Sequence, residues 1–246
     1  TRILTENGRA GGGELEDGTR HKADYIVSNA EGRYADKKII KYCKPLPDND
    51  IPFSILVFLG VSRDLSAYPC ALNLFLDKPE EIAGHSCEYL DMQIYGSDAG
   101  IAPAGKGVIK VELFSKPSQF SRLHNDNAAY QAEKNKIADQ VIALLGKQFP
   151  GLQDDIEVID VATLQTWERY MGGTGGYNNM PNKPLDIIKY ILGLDSTYTL
   201  HGLKNFYFAG QWATSTGALF NNALSGKNVV RKICKEERRR KKHEHF

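Results

Sequence analysis

Between residues 203 and 233 the chain reads LKNFYFAGQWATSTGALFNNALSGKNVVRKI, and no other stretch restricts its fold as tightly. The apolar run from Asn205 to Gly210 reads as a buried strand closing in Ala-Gly. A short polar loop follows, and Gly217 opens a helix expected to run to about Lys235. The first amides of a helix lack internal acceptors, and the helix dipole places about half a positive charge there. A glycine at that end lets an anion or an electron-rich carbonyl approach closely. Gly226, one or two turns in, allows close packing on a sheet or another helix. On spacing alone, an ordinary strand-loop-helix unit with glycines for packing fits as well.

The rest of the chain reads as strands first and a long helix later. Arg2 to Thr5 and Glu14 to Glu16 are short strand candidates around Asn7-Gly8 and the run Gly11–Gly13, which reads as a hairpin turn; Asp17-Gly18 supplies a second turn. Tyr25-Ile26-Val27 is a buried strand, and Pro45, Pro47 and Asp48-Asn49-Asp50 mark a loop. Phe53 to Leu59, Cys70 to Leu76, Met92 to Tyr95 and Val108 to Phe114 predict an antiparallel or mixed sheet. Ala129, Tyr130, Ile137, Val141, Leu144 and Leu145 then recur at helical spacing behind a cap at Asn125 or Asp126, with Gly146 and Pro150-Gly151 as stops. Ile156 to Val161 is a strand, Thr163 to Tyr170 fits helix or strand, Met171 to Asn182 is a glycine-rich loop, and Leu185 to Leu192 reads as a short helix.

Composition narrows the class. In 246 residues, 31 Lys and Arg stand against 30 Asp and Glu, a net charge of +1, which excludes a nucleic-acid binder driven by overall charge. The segment from Lys235 to Phe246 has a net charge of +3, so the positive charge belongs to the tail. Its run Arg238–Lys242 reads as a solvated end or as a patch for anionic lipid. Cys43, Cys70, Cys87 and Cys234 are dispersed, with no metal spacing and no disulfide framework, so a cytoplasmic location is expected and no metal site. The longest apolar stretch, Ile55 to Val61, is far short of the roughly 20 residues of a membrane span.

The segment from Leu203 to Ile233 resembles the C-terminal flavin-binding segment of the phytoene desaturase, carotenoid isomerase and retinol saturase-like family of FAD-dependent oxidoreductases. GGELEDGTRHKADYIVSNA resembles the hairpin and strand by which these proteins return to the FAD domain. APAGKGVIKVELFS, the helix ending at Phe149-Pro150-Gly151, VIDVATLQTWERYMG and the glycine-rich loop follow in the family's order. The resemblance implies an α/β class, with α+β character in this stretch. It would be the C-terminal portion of a two-domain FAD/NAD(P)-binding flavoprotein fold with a mixed or antiparallel substrate-domain sheet. It implies a returning FAD-domain segment at 1–30, a substrate-binding domain at 31–165, a C-terminal FAD-binding segment at 166–235 and a charged tail at 236–246.

The resemblance further implies FAD as cofactor, with Gly210 and Gln211 along its ribityl and pyrophosphate portion. Gly217, Ala218 and Leu219 would present helix-terminal amides to the flavin pyrimidine edge. Trp167, Tyr170 and Trp212 are the expected substrate contacts, or plain packing residues. Many relatives carry an acid where Gln211 stands, and more glycine and a proline across Thr216 to Phe220. The family's G-x-G-x-x-G pyrophosphate motif is not found in these residues, so the chain is expected to be the C-terminal half of a flavoenzyme whose N-terminal half is its partner. The implied substrate is a long apolar polyene or lipid, reached at the membrane periphery. No catalytic acid-base pair stands out: Asp154-Asp155 reads as a solvated loop, and His21, His85, His124 and His201 are scattered. The other readings are a non-catalytic module for an apolar ligand or partner, and an amine-oxidase-like flavoenzyme.

Overall fold

A computed structural model describes residues 2–29, 53–96, 100–123, 125–171, 199, 202–210, 213 and 219–243. The chain divides into two compact units: Thr1–Asn49 with Asn178–Phe246, and Asp50–Tyr177. The glycine-rich loop and the helix expected at Leu185 to Leu192 lie outside the described residues.

In the first unit, strands β1 (Arg2–Glu6) and β2 (Arg9–Glu14) form an antiparallel hairpin. Its turn is Asn7-Gly8, both with positive φ (47° and 71°), the two-residue turn whose twist suits paired strands. The run Gly11–Gly13 is therefore not the turn but lies inside β2. Gly12 has a structural reason to be glycine: a Cβ there would come within 2.2 Å of the His21 carbonyl oxygen. Past the Asp17-Gly18 turn, β3 (Arg20–Lys22) pairs with β2. β4 (Ile26–Ser28) pairs in parallel with β10 (Phe206–Phe208), residue 26 facing 206 and 28 facing 208. Ala10, Leu203, Phe206, Phe208 and Ala213 make a small core.

Helix α5 (Leu219–His243) extends past Lys235 and carries the basic run Arg238–Lys242 as helix. Lys, Arg and Glu are strong helix formers. The pairs Lys232–Glu236 (3.7 Å) and Glu237–Arg240 (3.1 Å) join adjacent turns.

The second unit is built on five antiparallel strands in the order β6-β7-β8-β5-β9: β5 (Phe53–Val61), β6 (Ala71–Ile82), β7 (His85–Tyr95), β8 (Gly107–Ser115) and β9 (Ile156–Ala162). This is the antiparallel form of the sheet expected from the sequence. One face bears Ile55, Val57, Leu59, Leu90, Met92, Ile94, Ile109, Val111 and Leu113, all buried. Their alternation along each strand is what a sheet with one covered face requires.

Short helix α1 (Pro117–Ser121) leads to α2 (Asn127–Gln148), which supplies Ile137, Ala138, Val141, Ile142 and Leu145 to the same core. The Asp126 side chain accepts a hydrogen bond from the Ala129 N–H at 3.0 Å, capping α2 as its sequence suggested. Gly146 does not stop the helix; it continues to Gln148, and Gly151, with φ 73°, precedes the next turn, α3 (Leu152–Asp155). The ambiguous stretch after β9 is a helix, α4 (Leu164–Met171).

Candidate functional site

Two places collect the residues singled out in the sequence. The first lies at the carboxyl ends of the parallel strands β4 and β10, the edge of a parallel pair where ligands of α/β folds bind. The Ala209 N–H donates to the Ser28 carbonyl (2.9 Å), extending the pairing one residue beyond β10. Gly210 follows with φ 86°, a conformation a side chain resists. A Cβ on it would sit 1.8 Å from the Asn29 Oδ1. Its N–H donates to the Ser225 Oγ (2.6 Å), whose hydroxyl donates to the Asn222 carbonyl (2.6 Å), so Gly210 is tied to α5 as well as to β4. Ser225 is fully buried. At the first turn of α5, Leu219 is 88% exposed. Gln211, Trp212, Gly217 and Ala218 lie outside the described residues. The structure thus places Gly210 at the strand ends and Leu219 at the start of α5.

At the opposite ends of the same strands lies a cavity of about 400 Å³ lined by Arg9, Tyr25, Lys204, Tyr207, Glu236 and Glu237 among others. The Tyr207 hydroxyl donates to Glu236, and the Tyr25 hydroxyl to Glu237, so two phenols anchor α5 to the strand pair. Burial pushes the Tyr207 phenol well above its ordinary range, and the hydrogen bond to Glu236 and its charge add to this.

The second place is the face of the five-stranded sheet opposite α2. Period-2 alternation puts Ser54, Leu56 and Phe58 of β5, Val108, Lys110, Glu112 and Phe114 of β8, and Tyr89, Gln93 and Tyr95 of β7 on this face. A connected polar line crosses it. The Tyr95 hydroxyl donates to Gln93 (2.9 Å), the Lys110 ammonium donates to the same amide oxygen (3.2 Å) and lies 3.5 Å from Glu112, and Ser54 Oγ donates to Glu112 (2.6 Å). The Lys110 and Glu112 side chains are largely buried among Leu56, Phe58 and Val108, all half-buried. With Lys110 and Glu112 bonded to one another, the line is a fixed dipole set among apolar contacts, and exposed Asp91, facing Glu112 in the ladder, stands beside it on the same face. These residues escaped the sequence reading; the signal was there in VIKVELF, where Lys110 and Glu112 alternate with core residues.

Trp167 and Tyr170 sit on α4. The Trp167 indole is half-buried on the large core, and its Nε1–H donates to the Ser54 carbonyl at 2.7 Å. This holds α4 beside the strand that bears Ser54. Tyr170 is 74% exposed and its ring lies 4.7 Å from the Arg169 guanidinium. Of the expected substrate contacts, the structure brings Trp167 to the edge of the polar line and leaves Tyr170 on the surface. Among the described residues no group of His, Cys, Asp or Glu has the arrangement of a metal site. No described helix is long and apolar enough to cross a membrane.

No family model matches the chain. Prolycopene isomerase 2, chloroplastic, of an Oncidium hybrid cultivar is 27% identical over 220 residues, 82% of this chain and 36% of that protein. The chloroplastic prolycopene isomerase of Daucus carota is 27% identical over 200 residues, 73% of this chain and 31% of that one. A 4,4'-diapophytoene desaturase (4,4'-diapolycopene-forming) of a Methylomonas species is 27% identical over 205 residues, 70% of this chain and 37% of that one. The chain is thus similar, over most of its length, to proteins named as carotenoid isomerases and as a desaturase. The chain spans about a third of the length of the curated proteins it matches. Among solved structures, Rab GDI from Plasmodium falciparum overlaps 94% of this chain and 39% of its own, at a TM-score of 0.39 and 10% identity, a likeness that carries no argument.

Proposed function

We propose that this chain forms part of an FAD-dependent oxidoreductase that moves hydride equivalents to or from a long apolar polyene or similar lipid. The observation that carries the reading is the 27% identity to a prolycopene isomerase over 82% of the chain, joined by a similar match to a diapophytoene desaturase. FAD, when bound, supplies the hydride chemistry. The residues here fit part of its site: Gly210, Ser28 and Asn29 stand at the carboxyl ends of two parallel strands. Gly210 and Gln211 would line the ribityl and pyrophosphate portion, and Gly217, Ala218 and Leu219 the flavin edge. Ser225 orients the Gly210 peptide by accepting its N–H.

The sheet face bearing Leu56, Phe58, Val108 and Phe114 is the proposed floor for the substrate. An elongated hydrocarbon gains contact along it, beside the closed Lys110–Glu112 ion pair. Trp167, Tyr170 and Trp212 are the further contacts proposed, and the basic end of α5 is proposed to meet anionic lipid at the membrane periphery.

The test is anaerobic mixing of the native protein, loaded with FAD, with prolycopene or phytoene in detergent or liposomes. Polyene-dependent change in the flavin spectrum, with an altered polyene by chromatography, is the expected result. Peroxide produced from amines instead would transfer the chain to an amine-oxidase-like role. Apolar-ligand binding with no flavin uptake would make it a binding module.

A further inference from the structure

The five-stranded sheet ends on one side at β6, and among the described residues no strand covers its outer edge. The Ile94 N–H donates to the Cys70 carbonyl (3.0 Å), which fixes the parity of the ladder. Residues 70, 72 and 74 turn their backbone groups toward β7, and Ala71, Asn73 and Phe75 turn theirs outward. The side chains of these three are exposed, Phe75 by 73%. Edge strands are ordinarily guarded by charge, proline or a bulge. Here Asp77, Lys78, Pro79 and the break in register between Phe75 and Glu80 supply all three, but only after Leu76. Ala71–Leu76 is uncharged and free of proline.

We propose that this edge pairs with the same edge of a second copy of the chain, antiparallel about a two-fold axis at Asn73. In that register Ala71 faces Phe75 of the other copy, Asn73 faces Asn73, and each of the three facing pairs exchanges two backbone hydrogen bonds. The small Ala71 leaves room for the large Phe75 ring opposite it, and Leu72 meets Leu74 on the core side. The pairing stops where Asp77 faces Pro69, which has no N–H. Parallel pairing is disfavoured because it sets Asp77, Lys78, Glu80 and Glu81 beside their own copies; the antiparallel arrangement sends them to opposite ends. A centre at residue 72 or 74 leaves one of the three outward residues without a partner in the uncharged window. The two sheets then become one continuous sheet across the axis.

The test is light scattering on the 246-residue chain over a concentration series, with residue 73 as a cross-linking reporter. In a background of Cys43→Ser, Cys70→Ser and Cys234→Ser, Asn73→Cys should form a covalent dimer under mild oxidation, because residues facing each other in such a pair lie about 5.5 Å apart, within disulfide reach. Asn73→Pro removes an outward N–H that the monomer does not use and should abolish the dimer without changing the circular dichroism. Should that proline unsettle the strand, Ala71→Lys with Phe75→Lys sets lysine opposite lysine on exposed positions and should abolish it too. A monomer at every concentration overturns the proposal. So does an assembly that survives both variants, or a dimer that residue 73 cannot cross-link, since either places the contact elsewhere or with a different partner.

Discussion

Gly210 was legible in the sequence as the glycine that ends an apolar strand, but its reason was not. The structure shows the Asn29 side chain standing where a Cβ would go, and a φ that only glycine adopts without strain. Gly210→Ala should therefore destabilise the unit formed by Thr1–Asn49 and Asn178–Phe246 by about 2–4 kcal/mol, read by urea unfolding. Gly12 teaches the converse lesson. Three glycines in a row looked like a turn, yet the turn is at Asn7-Gly8 and Gly12 is needed for the close pass of the His21 backbone, a contact made across strands that local sequence does not display. Cysteines follow their surroundings in the same way. Burial, and then the Glu81 charge, push the Cys87 thiol upward, while Cys70 and Cys234 are exposed. Near neutral pH, iodoacetamide should modify Cys70 and Cys234 well before Cys87, as peptide mapping would show.

At the scale of elements, α2 was readable from its cap and spacing, because every signal it needs lies within the helix. The ambiguous stretch after β9 was not, because α4 is settled by the Trp167 indole reaching Ser54, far away in sequence. The polar line on the sheet was hidden for a related reason. Lys110 and Glu112 look like solvent-facing residues of any half-exposed strand until β5 and β7 are set beside β8. Lys110→Met should cost about 1–3 kcal/mol by leaving Glu112 short of a partner, and adding Glu112→Leu should restore part of that loss, a non-additivity that a double-mutant cycle measures. The anchoring of α5 carries a pH signature. The folded state holds the Tyr207 phenol protonated to higher pH than the unfolded chain does. Its contribution is thus complete below about pH 10, the ordinary tyrosine value, and is lost as pH rises beyond it. Tyr207→Phe should flatten the alkaline limb of the stability curve.

At the scale of the molecule, the described residues of the two units form unequal cores: the large cluster under the five-stranded sheet belongs to Asp50–Tyr177 and a small one to the other unit. Urea unfolding should show two transitions, with proteolysis at the first sparing a fragment that contains the five strands. The parallel pairing of β4 with β10 has a consequence for how such a chain reaches its native state. Residue 28 must find residue 208 with all of Asp50–Tyr177 strung between them, and the entropy of closing so long a loop opposes that meeting. Once the intervening segment has collapsed around its own sheet, the loop to be closed is far shorter. Refolding should therefore be hierarchical: a fast phase that buries the β5-centred core, then a slower one that zips β4 to β10 and brings Gly210 against Asn29.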